Sequence, residues 1–298
     1  MNERLAFMVI LLFSVLLFTL STLSAEKYEF FGAIKLYGKD EASITYKLVI
    51  TETNGKLTGY SLTDVAGPHE TKNIIEGTFD SKTNMLVFKE KDIVYTKSPV
   101  SGDLFCFVNF EGKVKLRSSK PKIDGNFKGM FKNKSKCIDG TITLVGSERV
   151  QKLLGKVNNK IQKSKEVPDS MKVKYNPVTV FDSMQINHLM PTQNISIFDL
   201  SSTVSFEIWD KEKEDGDIIN LYHNGKTILT NFAVTKQKKK IDVILSSENN
   251  VFMIEAVNEG KFAPNTAMIL FTGNNPVEMQ SNLRKGETTS ISIVKRQE

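Results

Sequence analysis

IIEGTFDSKTNMLVFKE, residues 74 to 90, decides the fold. Apolar and polar residues alternate on either side of a turn led by Asp80, which is the period of two extended strands joined by a short connection. The same period runs outward in both directions, from Lys27 to about Val145, through YEFFGAIKLY, SITYKLVITE, GKLTGYSL, LFCFVNFEGKVKL, KIDGNFKGMFK and CIDGTITLV. A glycine recurs two places after an apolar residue, at Gly32, Gly59, Gly77, Gly125 and Gly140. Glycine inside a strand marks a bend, a bulge or a close backbone approach, so its repetition predicts an antiparallel meander that curves into a barrel.

Over about 120 residues this pattern resembles the lipocalin and avidin-like up-and-down barrels of the calycin type. Phe31-Gly32-Ala33 stands where lipocalins carry Gly-x-Trp, and the sole tryptophan is Trp209. The resemblance implies a barrel of about eight strands that either fills its interior with side chains or holds one small ligand.

The chain opens with MNER, continues through mostly apolar Leu5 to Leu20, and leaves by STLSA. This is the layout of a signal peptide over residues 1–25, with cleavage after Ala25 or Ser24; the apolar run is slightly short of the roughly twenty residues of an uncleaved membrane anchor. The expected location is therefore outside the cytoplasm: periplasmic, cell-surface or secreted. Export suits Cys106 and Cys137, the two cysteines, to a disulfide that stabilises by about 3 to 4 kcal/mol through loop closure. The net charge of +6 favours anionic partners, and export sets nucleic acid aside.

Beyond the barrel, residues 147–166 change to helical period. Val150, Leu153, Leu154, Val157 and Ile161 share one face, and Lys152, Lys156, Lys160 and Lys163 form a second stripe. Such a basic amphipathic helix either packs on its neighbours or makes a peripheral membrane contact. Residues 167 to 200, with Pro168, Pro177 and Pro191, read as a linker with one short strand at KYNPVTVF. Alternation returns over 201–298, where Asn224-Gly225 between apolar runs signals a hairpin, and the short strands predict a β-sandwich. This half, particularly WDKEKEDGDIINLYHNGKTIL with the later AVNEGKFAPNTAMIL, resembles a small sandwich domain of exported bacterial proteins. The expected organisation is thus all-β: a barrel over 26–146, helix and linker over 147–200, and a sandwich over 201–298, the two β regions folding independently.

Catalytic signatures are sparse. His69, His188 and His223 are the histidines, and no G-x-S-x-G elbow accompanies them, so the chain reads as a non-enzyme. The basic runs Gly112–Lys120 and Lys236–Lys240 read as solvated edges. The acidic run WDKEKEDGD, with Asp210, Glu212, Glu214, Asp215 and Asp217, leaves two readings. A calcium site would use Asp210, Asp215 and Asp217 with Asn258 or Glu259, though Lys211 and Lys213 interrupt any EF-hand spacing. A plain hairpin turning at Asp215-Gly216 needs no ion and no other cofactor. The function expected is an exported, non-catalytic binding or cell-envelope accessory protein, its partner a small molecule, a glycan or an envelope protein. The alternatives are a calcium-dependent carbohydrate-binding protein and a hydrolase using distant acids.

Overall fold

The computed structural model describes residues 25–38, 42–100, 102–211 and 213–296. The leader, apart from Ala25, and Glu212 of the acidic run lie outside the described residues. Eight strands come first: β1 (Glu26–Leu36), β2 (Ser43–Thr53), β3 (Lys56–Thr63), β4 (Thr71–Asp80), β5 (Met85–Thr96), β6 (Phe107–Lys113), β7 (Lys122–Met130) and β8 (Gly140–Gly146). Each is antiparallel to the next, and β8 returns to β1, closing an up-and-down barrel. The recurrent glycines sit where strands press together. A Cβ on Gly32 would stand 2.1 Å from the Thr143 carbonyl oxygen, and one on Gly77 would stand 2.1 Å from that of Val87. No side chain fits there, which is why the strands can coil tightly enough to close.

Alternate residues from every strand fill the interior, among them Phe30, Tyr46, Leu48, Leu57, Ile75, Leu86, Phe88, Phe110, Ile123, Phe127 and Leu144, all buried. Phe88 and Phe110 stack with centroids 5.4 Å apart. The barrel centre is therefore a packed core. Near one mouth, Cys106 and Cys137 form the expected disulfide, their Cα atoms 6.1 Å apart.

Three helices follow: α1 (Ser147–Lys163), α2 (Asp169–Lys174) and α3 (Pro177–Ser183). KYNPVTVF is thus not a strand. The Asn176 side chain accepts hydrogen bonds from Val178 N and Thr179 N while Pro177 occupies the first helical turn, so Asn-Pro starts a helix. Phe181 of α3 packs edge-on against Phe31 on the barrel's outer wall, with centroids 5.2 Å apart.

The remaining strands are β9 (His188–Leu189), β10 (Asn194–Asp199), β11 (Thr203–Trp209), β12 (Ile218–His223), β13 (Lys226–Ala233), β14 (Lys239–Ile244), β15 (Asn249–Ala256), β16 (Met268–Thr272), β17 (Val277–Ser281) and β18 (Thr288–Lys295). They make two facing sheets. One runs β14-β11-β16-β17-β9; the other runs β13-β12-β15-β18-β10 and continues into the barrel through β5. Between them lie Phe206, Phe252 and Phe271, with Phe206 4.4 Å from Phe252 and 5.7 Å from Phe271.

β5 belongs to both bodies. Its first half pairs with β6 as far as Lys89↔Asn109, and its last residues pair with β10 at Tyr95↔Ile197 and Thr96↔Ser196. Val94 and Tyr95 accordingly join the sandwich core, not the barrel core. Where β5 leaves β6, the Glu90 carboxylate takes over as acceptor: Val108 N donates to it at 2.7 Å, Tyr46 OH at 2.9 Å and Ser61 Oγ at 2.5 Å. Burial raises its pKa, and these donors oppose that shift.

Candidate functional site

The departure of β5 opens a cleft at the seam between barrel and sandwich. Its volume is about 890 Å³, and its walls come from the β3–β4 loop (Ala66 to Pro68), the end of β5 (Thr96 to Val100), the stretch from Ile186 through Asn194, and Ser196, Phe198 and Asn282. These segments meet only because β5 crosses from one body to the other and β10 follows it.

At the floor lies a buried ion pair. Lys97 Nζ stands 3.3 Å from Glu70 Oε1 and donates to the His188 carbonyl at 2.9 Å, and both side chains are 3% exposed or less. Glu70 also accepts from Tyr95 OH at 2.9 Å and from Ala66 N at 2.7 Å. Burial draws the Lys97 pKa down, and Glu70 opposes that shift. Burial likewise lowers the pKa of His188, with the Lys97 charge adding to it and a hydrogen bond with the Ser183 backbone opposing it. The His188 Nδ1 is buried and lacks a hydrogen-bond partner, as do both amide atoms of the neighbouring Asn187. A buried polar atom left unpaired costs about 1–3 kcal/mol.

Apart from Lys97, the lining is neutral. Thr192, Gln193 and Asn194 bring polar side chains that also bond locally, Thr192 Oγ1 donating to the Pro191 carbonyl at 2.7 Å and Gln193 Oε1 accepting from Met190 N at 3.1 Å, and Asn282 adds an amide, while Pro68, Pro99, Pro191 and Phe198 supply flat apolar surface. Such a surface suits an uncharged ligand rich in hydroxyl or amide groups.

A larger open depression, of about 1120 Å³, crosses the outer wall from β3 to β7, past Thr58, Val87, Lys89, Asn126 and Lys128. Its polar groups are solvated or already engaged: Lys89 pairs with Glu76 at 2.9 Å, and Tyr37 OH donates to Asn126 Oδ1 at 2.9 Å. The smaller cleft, walled by segments of both bodies above a buried ion pair, is the better candidate.

The acidic run is not a hairpin, because β11 and β12 stand in opposite sheets. Its acids fasten the crossing. Asp215 Oδ2 accepts from Phe262 N and Asp217 Oδ2 from Thr266 N, each at 2.8 Å. Asn258 Oδ1 accepts from Ile218 N while its Nδ2 donates to the Gly216 carbonyl, both at 2.8 Å. Glu259 Oε1 reaches away to Lys285 N at 2.9 Å, and the backbone N–H of buried Asp210 donates to the Thr235 carbonyl at 2.8 Å. The structure thus brings Asp215, Asp217 and Asn258 together around one loop. Among the described residues, no three His, Cys, Asp or Glu side chains are grouped to hold a metal ion. Asp217 is 2% exposed with Oδ1 unpartnered, and its pKa is pushed up to about 6, mainly by burial, with the charges of Asp215 and Asp210 adding.

The other two histidines lie apart from the cleft floor. His69 is exposed, and His223 stacks on Phe252 at 4.4 Å. Sequence reasoning passed over Glu70 and Lys97 because each is an ordinary charged residue until the fold brings them together. Comparison with known protein families, curated proteins and solved structures found no match to this chain.

Proposed function

We propose that this protein is an exported, non-catalytic binding protein whose ligand seat is the cleft between barrel and sandwich, and that its ligand is an uncharged glycan or a similarly neutral polar molecule. The observation that carries this reading is the cleft's composition: a concave site of about 890 Å³ at the seam whose rim is neutral and mixes amide and hydroxyl side chains with proline and phenylalanine surface. The filled barrel core supports placing the ligand here instead of at the calycin-like centre. Export is supported by the leader-like N-terminus and by the disulfide.

The test is thermal melting against a panel of neutral mono- and oligosaccharides. A ligand at a hundredfold excess over its Kd stabilises by about 2.7 kcal/mol. Asn282→Trp, which fills the cleft, should remove the shift while leaving the ligand-free melt close to wild type. A sugar-induced shift that survives Asn282→Trp places the seat elsewhere, and a panel with no shift refutes the glycan class.

A further inference from the structure

We infer that the helical layer is a docking surface for an anionic lipid bilayer. α1 extends from the barrel at Ser147, and of its residues only Ser147 is buried. Val150, Leu154 and Ile161 are half-buried beneath it, whereas Leu153 and Val157, one turn apart on the edge of the same apolar face, are 51% and 47% exposed. Arg149, Lys156, Lys160 and Lys163 fall within an arc of about 60° that borders those two side chains, at 3.6 residues per turn.

The basic stripe is unusual for a solvated helix face in lacking counter-charges. Lys152, on the other flank, approaches Glu148 at 3.8 Å, but among the described residues no carboxylate pairs with Arg149, Lys156, Lys160 or Lys163. Residues 147 to 174 hold eight basic and three acidic side chains, which accounts for most of the net charge of +6. Gln162 Nε2 donates to the Lys172 carbonyl at 3.3 Å, bringing α2 alongside, and Tyr175 just beyond it is 52% exposed.

Lysines alone would serve any polyanion. Lysines bordering exposed aliphatics serve a bilayer, because the apolar edge enters the acyl boundary while the cations meet lipid phosphates. This face is separate from the proposed ligand cleft, so the two functions are testable apart.

The experiment is co-sedimentation of exported protein with vesicles of phosphatidylglycerol and phosphatidylcholine, against vesicles of phosphatidylcholine alone. Binding is expected to the first and not to the second, and to fall as salt rises. Lys156→Glu with Lys160→Glu should weaken binding by about fivefold or more for each lysine. Leu153→Ser with Val157→Ser should weaken it several-fold without lowering the melting temperature, since both positions are half exposed. Failure of the wild type to bind anionic vesicles overturns the inference, as does equal binding by both double variants. A loss of self-association in the serine variant with vesicle binding intact also overturns it, and makes a second copy the occupant of this face.

Discussion

Barrel and sandwich close their cores by different means. The barrel is self-sufficient: eight strands each pair with a sequence neighbour or with the first strand, and its buried cluster draws on residues 30 to 144 alone. The sandwich borrows. Its core includes Val94 and Tyr95 from β5, and also Leu189, Ile195 and Ile197, all of which precede Ser201. Independent folding therefore fits one body better than the other, and the borrowed strand is also what creates the cleft.

The largest effect should come from cutting the chain along that asymmetry. A fragment of residues 26 to 146 is expected to unfold cooperatively in urea, because its apolar set and its disulfide are complete. A fragment of residues 201 to 298 lacks β10 and the end of β5, and should show no cooperative transition by circular dichroism. Cooperative unfolding of the shorter fragment would mean that the borrowed residues only decorate a complete sandwich.

Next in size is the ion pair at the seam. Glu70→Ala leaves Lys97 buried without its counter-charge, which typically costs about 3–5 kcal/mol. Adding Lys97→Met should restore much of that loss, since the penalty lies in the stranded charge. Chemical denaturation of the two variants checks this, and equal losses in both would show that Glu70 acts through its bonds to Tyr95 and Ala66 instead.

A smaller effect belongs to the sandwich alone. The pKa of Asp217 rises from 3.8 to about 6 on folding, so its contribution is stabilising below about pH 4 and is lost as pH rises through 6. Asp217→Asn does not titrate. The stability difference between variant and wild type, followed by melting from pH 4 to pH 8, should therefore shift in favour of the variant over that window. A difference independent of pH would mean that Asp217 ionises as freely in the fold as in the unfolded chain.

How far the sequence was legible follows from the range of each interaction. Period two placed the barrel strands, and Asn224-Gly225 marked the β12–β13 turn, where both residues have positive φ. Those signals are local. Cys106 and Cys137 were legible because the chain has no other cysteine to pair. WDKEKEDGD looked like a hairpin because a crossing between sheets and a turn within one sheet share the same local composition; the difference lies in which distant strands β11 and β12 pair with. Asn176-Pro177 starts a helix although β-branched Val178, Thr179 and Val180 follow, because the Asn176 side chain caps the first turn. Glu90 was the clearest missed signal. It follows Leu86 and Phe88 at the same spacing, so the period alone sets a carboxylate inside the barrel, where β5 changes partners. Glu70, Lys97 and His188 carry no comparable mark, since their meeting depends on β9 and β10 folding back over the barrel mouth.

The shared strand is tested most directly by native-state hydrogen exchange in wild type and in Phe252→Ala, which opens a cavity in the sandwich core. Protected amides among Tyr95, Thr96, Ser196 and Ile197 are expected to speed up together with those of β18, while Leu86 and Phe88, in the first half of the same strand, keep their wild-type protection. Tyr95 and Thr96 exchanging with Phe88, unaffected by the cavity, would contradict it: β5 would then belong to the barrel along its whole length.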